Sequence, residues 1–310
     1  MNVGSFGAFE YQPAEISQIG IPDNQGGVLT APTQQSTSRP RAQVIGGGQN
    51  SLRQAITDVV SGLRLWQLWT MLGWHDILQR YRRAPRGAFW LTISMAVMVV
   101  SLGVLYAELF RTSVRDFLPF LCAGLLVWTF MSSFLLEGGV LFTGSESYIK
   151  QVKLPYSVYV FRSAWTKLII FAHNLVIYFG IVLYFGIWPG PVGLLAIPGI
   201  LLVTINFTLL CVLIGMISAR FRDIPQLIAS VVQILFFITP IMWKPELLQQ
   251  RAYFAYLNPL YQMIELVRAP LLGMAPTLQA YLAVLGITLV NFIVVATFFA
   301  RFRSRIAYWV

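Results

Sequence analysis

Three groups of residues in this chain have the types and spacing to do chemistry. The run RYRRAPR places Arg80, Arg82, Arg83 and Arg86 within seven residues. A guanidinium fork holds two oxygens of a phosphate at once, so the cluster is suited to gripping a phosphorylated group. Ordinary anchoring of a membrane helix on its cytoplasmic side is the other reading of the same arginines. The second group is Glu146, Tyr148, Lys150 and Lys153, just ahead of Leu154-Pro155. The residue before a proline is pushed out of the helical region, so a short charged helix should end near Leu154. Aromatic residues form the third group, at 14% of the chain. Sugars present C–H faces that stack on such rings, so an aromatic path can hold a glycan weakly and let it slide. Phe89, Trp90, Tyr106, Phe236, Phe237 and Trp243 lie in or beside apolar runs, and Tyr253, Phe254, Tyr256 and Tyr261 lie between two of them. Packing and the interfacial aromatic belt are the alternatives for each.

These residues must be positioned by elements of an unusual composition. Of the 310 residues, 57% are hydrophobic and only 11% charged, far below the roughly 25% charged of soluble domains. A soluble enzyme or a free nucleic-acid binder of this composition would expose too much apolar surface. A helix needs about 20 mainly apolar residues to cross a bilayer. Six runs qualify: 88–107, 117–136, about 168–187, 191–217, 226–243 and 280–300. They are continuous rather than alternating, which argues against a β-barrel. The expected fold is therefore an all-α membrane protein with six transmembrane helices.

Net charge is +10, and the basic residues beside the spans are unevenly placed. With the N-terminus inside, inside segments hold fourteen of them and outside loops five (Arg111, Arg115, Lys244, Arg251 and Arg268). That asymmetry puts both termini in the cytoplasm. Residues 1–50, rich in Gly, Pro, Gln, Ser and Thr, read as a disordered cytoplasmic tail without a signal peptide. Residues 51–87 read as an amphipathic interfacial helix and its connection, with Leu65, Trp66, Leu68, Trp69 and Leu72 on its broad apolar side. Residues 88–310 form the six-span domain. Between spans five and six, Leu257, Leu260, Met263, Ile264 and Val267 have helical spacing after Asn258-Pro259, so this apolar segment should fold back as short re-entrant helices. Thr239-Pro240, late in span five, should kink that helix, as a hinge or as a static bend.

Much familiar chemistry is missing. The sequence has no G-x-x-x-x-G-K-[ST], H-E-x-x-H or G-x-S-x-G. Cys122 and Cys211 lie in apolar runs and suggest neither a disulfide nor a zinc site, so no cofactor is expected on this chain. His173-Asn174, within span three, reads first as a pair hydrogen-bonding between packed helices. The spans hold almost no carboxylates, whereas ion-coupled transport usually needs them inside the bilayer. Energy for any transport would come from a partner.

Three segments carry a family resemblance: ESYIKQVKLPYSVYVFR (146–162), FRDIPQLIASVVQILFFITPIMW (221–243) and LNPLYQMIELVR (257–268). Together they resemble the ABC-2 type permeases, and among these the exporters of O-antigen, capsule and teichoic acid chains. The likeness runs from about residue 60 to 310.

The resemblance implies a homodimer working with two copies of a separate P-loop ATPase, which would hold the ATP and Mg. The cargo would be a polysaccharide on a polyprenyl diphosphate, carried across the cell inner membrane, with no nucleic acid involved. Glu146, Tyr148, Lys150 and Lys153 would then lie on the ATPase contact. Arg80, Arg82, Arg83 and Arg86 would admit the lipid diphosphate. Spans one and five would line the conduit, with Phe89, Trp90, Tyr106, Phe236, Phe237 and Trp243 as its aromatics. Tyr253, Phe254, Tyr256 and Tyr261 would belong to outer gate helices. An ABC-2 exporter of drugs or small hydrophobic molecules is the alternative, and a polyprenyl-dependent glycosyltransferase a more distant one.

Overall fold

The structure is a computed structural model that describes residues 49–82 and 89–310; all regular structure among them is helical. Residues 1–48 of the expected tail, and Arg83 and Arg86, lie outside the described residues.

The expected interfacial helix is two helices, α1 (Gln49–Arg64) and α2 (Trp66–Arg82), which meet at Leu65. Helix α1 buries Ala55, Asp58 and Gly62 and leaves Leu52, Ile56, Val59 and Leu63 outside. Helix α2 lies against α6 (Tyr156–Phe185). Its packed side is Gly73, Ile77 and Trp69, whose ring lies against Phe161 and Trp165; Leu65 and Trp66 of the expected stripe are exposed. The reason is close approach: a Cβ on Gly73 would stand 3.0 Å from the Trp165 ring and 3.2 Å from the Arg162 carbonyl oxygen.

Five stretches are long and apolar enough to cross a membrane: Thr92–Leu109, Val114–Val140, Tyr156–Phe185, Gly190–Arg220 and Leu278–Trp309. They correspond to α3 (Phe89–Leu109), α4 (Val114–Val140), α6, α7 (Ala196–Arg220) and α11 (Leu278–Phe302). Helix α4 is the central one and touches α3, α6, α7 and the two shorter helices α8 and α10 described below. It starts at Ser113, whose hydroxyl accepts the Asp116 N–H and donates to the Asp116 carboxylate, satisfying an amide that the helix itself cannot. Helices α7 and α11 are pinned by amides, with Asn206 donating to Thr288 Oγ1 at 2.7 Å and accepting from Asn291 at 2.9 Å. Between α4 and α6 sits the short α5 (Glu146–Gln151), which stops before Val152, earlier than the proline alone implies.

Two of the expected spans change shape. The third helix starts at Tyr156 rather than about residue 168. Arg162 and Lys167 therefore lie within it, where ion pairs neutralise them, and not in a loop. The fifth is α8 (Ile224–Ile238), only 15 residues. At 1.5 Å per residue it is about 22 Å long, short of a hydrocarbon core of about 30 Å. Thr239 is extended (φ −84°, ψ 135°) ahead of Pro240, as the proline's ring demands of its predecessor. The helix ends there instead of kinking through, and Trp243 lies beyond it.

The chain then returns through a 3-10 turn (Pro245–Arg251), α9 (Tyr253–Tyr256) and α10 (Pro259–Leu271). Asn258 caps α10, its side chain accepting the Leu260 N–H at 2.9 Å. Helix α10 buries Met263, Ile264 and Val267 and lies against α4, α7 and α11. Leu257, expected on the same face, is exposed because it precedes the cap. Another 3-10 turn (Arg303–Arg305) and α12 (Ile306–Trp309) follow α11.

Candidate functional site

Asp58 ties together three elements that lie far apart in the sequence. The first N–H groups of a helix have no partner within it and carry its positive dipole end. At the start of α6, Asp58 accepts the N–H of Ser157 at 3.0 Å and of Tyr156 at 3.2 Å. Arg303 Nε donates to the same carboxylate at 2.7 Å, and Ser157 Oγ donates to the Asp58 carbonyl oxygen. The Asp58 side chain is fully buried. Helix α1, the head of α6 and the tail of α11 thus share one joint.

Helix α5 lies beside this joint. Lys150 Nζ reaches Glu146 at 2.6 Å and the Val310 carbonyl oxygen at 3.1 Å. Lys150 therefore holds the Glu146 carboxyl below its ordinary value, mainly by hydrogen bonding to its charged form. Tyr148 is 57% exposed, and Lys153 is exposed too. Lys150, Lys153, Asp58 and Arg303 line a groove of about 620 Å³. The structure brings the four residues of the charged helix and its flank to one accessible end of the protein, with Glu146 and Lys150 partly engaged internally.

Of the arginine cluster, Arg80 and Arg82 end α2; the other two lie outside the described residues. Helix α2 is fixed to α6 by Asp76, which accepts a two-pronged contact from Arg162, with Nε to Oδ2 at 2.5 Å. One turn on, Lys167 pairs with Glu137 of α4 at 2.9 Å.

The candidate aromatics scatter. Phe89 and Trp90 sit in the first turn of α3. Tyr106 is half-buried and stacks on Phe110, with centroids 5.7 Å apart. Phe236 packs on Trp128 at 5.8 Å, whereas Phe237 is 63% exposed. Trp243 is half-buried. Tyr253 and Phe254 lie ring against ring at 4.2 Å and, with Tyr256, are exposed. Tyr261 is different: it is buried and faces Arg268.

Arg268 is the largest fully buried side chain. Its Nη1 donates to the carbonyl oxygens of Pro240 at 3.2 Å and Ile241 at 3.3 Å, and its other nitrogens reach Glu265. The guanidinium also lies 4.2 Å from the Phe120 ring centre. These two carbonyls lie just past the end of α8, where the chain is no longer helical, and Arg268 supplies their donor. Composition and spacing missed both Asp58 and Arg268. The one readable signal was the Glu265–Arg268 spacing of three, which pairs side chains on a helix. Asn174 also departs from expectation: it is buried, yet its Oδ1 finds no donor among the described residues.

A multi-pass helical bundle with its ion pairs gathered where helices join defines a polytopic membrane protein. Residues 67–272 match the ABC-2 type transporter family, and the chain belongs to it. It is 23% identical over 193 residues to the O-antigen export system permease protein RfbA of Myxococcus xanthus, an alignment covering 61% of this chain and 74% of that protein.

Proposed function

We propose that this chain is the permease subunit of an ABC exporter for a polysaccharide linked to a polyprenyl diphosphate. It moves that cargo from the cytoplasm across the inner membrane, and both its termini are cytoplasmic. Hydrolysis of ATP with Mg takes place on two copies of a separate P-loop ATPase, which dock on α5 through Glu146, Tyr148, Lys150 and Lys153. The chain works as a homodimer. Arg80, Arg82, Arg83 and Arg86 receive the diphosphate at the membrane face. Phe89, Trp90, Tyr106, Phe236, Phe237 and Trp243 belong to the conduit, and α9 and α10 form its outer gate as re-entrant helices.

The observation that carries this reading is the family match over residues 67–272, joined by the similarity to an O-antigen export permease. Helix α8 supports the homodimer. It is too short to cross on its own, and Leu227, Val231, Ile234, Phe237 and Ile238 are exposed along it, so a second copy and the gate segment complete the sixth crossing.

The test is ATP hydrolysis by this chain co-purified with its ATPase, with and without a polyprenyl-diphosphate glycan. Hydrolysis stimulated by the glycan and not by the bare lipid is the expected result. An active complex indifferent to glycan would shift the cargo to small hydrophobic molecules. Failure to form a complex with an ATPase would remove the reading.

A further inference from the structure

Lys167 stands where two cavities meet. On one side is a cleft of about 340 Å³ between α3, α4 and α6. Its walls include Met95, Met98, Leu126 and Phe171, and Asn174 lies among them. On the other side is a polar cavity of about 130 Å³ between α2, α4 and α6, lined by Asp76, Glu137, Tyr159, Arg162 and Lys167.

Three observations mark this as a built site. First, the Tyr159 hydroxyl, in the polar cavity, has no hydrogen-bond partner among the described residues, although the residue is only 3% exposed. Such atoms are costly to bury unless something supplies the missing bond. Second, the charges are balanced: Lys167 faces Glu137, and Arg162 faces Asp76. A bare anion, a diphosphate included, would meet as many carboxylates as cations. A zwitterion satisfies both signs, its phosphate near Lys167 and Arg162 and its ammonium near Glu137 and Asp76. Third, the α3 wall is open at Met98, which is 40% exposed on a helix long and apolar enough to span. An acyl chain has a way in from the side.

We propose that the cleft holds one zwitterionic, amine-bearing phospholipid, with an acyl chain between α3 and α6 and its headgroup at the Glu137–Lys167 and Asp76–Arg162 pairs. The proposal needs the chain to span a membrane and is independent of the cargo.

The experiment uses the full chain in detergent, stripped of lipid. It is titrated with phosphatidylethanolamine or phosphatidylglycerol of matched acyl chains while thermal unfolding is followed by tryptophan fluorescence. Native mass spectrometry counts the lipid retained. Phosphatidylethanolamine should raise the unfolding midpoint saturably, at one lipid per chain, and phosphatidylglycerol should not. Tyr159→Phe, which keeps the ring and removes the unpaired hydroxyl that would donate to the phosphate, should weaken the apparent affinity about tenfold. Ser133→Phe should fill the cleft and abolish the shift. Should that variant not fold, Met98→Trp narrows the mouth instead and should reduce the lipid retained. Equal shifts by the two lipids, or retention unchanged by the filling variant, would overturn the proposal. So would a disulfide between two copies carrying Met98→Cys, which would put a second chain over the cleft. Retention of an isoprenoid diphosphate there would overturn the zwitterion assignment and return the cleft to the cargo path.

Discussion

Arg268 on α10 donates to the carbonyl oxygen of Ile241, three residues beyond the end of α8, from a position with no exposed surface. The end of the short helix is thus held by a side chain of the next one. Asn258, the cap of α10, adds a bond to Thr239 Oγ1 at 3.2 Å. Truncating a partner of a buried charged network leaves the others unpaired, at about 3–5 kcal/mol. Arg268→Met should therefore destabilise the protein by that amount in denaturant or thermal unfolding. Arg268→Lys should lose less, since the charge stays and the fork goes. Adding Glu265→Gln to Arg268→Met should recover part of the loss, because the stranded carboxylate is then neutral.

Contact between α7 and α10 depends on the absence of one side chain. A Cβ on Gly199 would lie 2.4 Å from the Leu266 carbonyl oxygen and 2.9 Å from its carbonyl carbon. Both are backbone atoms, so α10 itself would have to shift. Gly199→Ala should cost about 1–3 kcal/mol, the usual range for overpacking. Gly286, on α11, has nothing within 4 Å of its would-be Cβ. There the same substitution should be neutral or stabilise by up to about 1 kcal/mol, the difference in helix propensity. Unfolding midpoints of the two variants, measured side by side, should show Gly199→Ala lowered and Gly286→Ala unchanged or raised.

Which parts of this were readable in advance follows from the range of the forces involved. The apolar runs at 88–107, 117–136 and 280–300 became α3, α4 and α11 because long apolar helices are specified locally. Helix α10 was readable too, since Asn258-Pro259 is a start signal written in adjacent residues. The head of α6 was not: Arg162 and Lys167 look like loop charges until Asp76 and Glu137, from other helices, are placed beside them. Arg268 looked like one more outside cation for the same reason. At Thr239-Pro240 the local rule was present but weighed wrongly, for a proline that ends a helix and one that bends it share a dipeptide. The short charged helix α5 was legible because its charges and the proline behind it are neighbours in the sequence. That Tyr261 is buried against Arg268 while Tyr253 and Tyr256 are exposed is not legible, because position along the chain does not reveal which way a ring faces.

The Asp58 joint should respond to charge more than to shape. Asp58→Asn keeps the outline, but an amide NH2 cannot accept, so one of the three donors from Tyr156, Ser157 and Arg303 is left without a partner. A hydrogen bond to a charged group contributes about 1.5–3 kcal/mol, and a loss in that range is expected. Asp58→Ala should cost about 3–5 kcal/mol by stranding Arg303 as well. Thermal unfolding of the two variants gives the order directly. An Asp58→Asn protein as stable as the unaltered one would mean that the ion pair to Arg303 contributes nothing.

Helix α5 should hold its place across the neutral range and loosen only in acid. Lys150 depresses the Glu146 carboxyl below its ordinary value of 4.5. A depressed carboxyl pKa contributes fully above the unfolded value and is lost as pH falls through the folded one. The Glu146–Lys150 pair is therefore insensitive to pH near neutrality and comes apart only in acid, below the ordinary carboxyl value. Spin labels at Tyr148→Cys and Tyr308→Cys should give one narrow distance at neutral pH and a broad distribution in acid. Lys150→Met should give the broad distribution at neutral pH.

Phe236 and Phe237 separate packing from transport on a single turn of α8. Phe236 is half-buried and rests on Trp128, so Phe236→Ala should destabilise the protein by about 2 kcal/mol, less than the full cost of a buried ring. Phe237 is mostly exposed, and Phe237→Ala should fall within about 0.5 kcal/mol of the unaltered protein. If α8 lines the conduit, as proposed, Phe237→Ala should slow glycan export while the ATPase still docks and turns over. Export is read as glycan accessible to an impermeant lectin, and stability as the unfolding midpoint of the same preparation. Slower export from Phe236→Ala alone, in step with its lost stability, would place the ring in the core. Unchanged export from Phe237→Ala would then take the aromatics of α8 out of the cargo path.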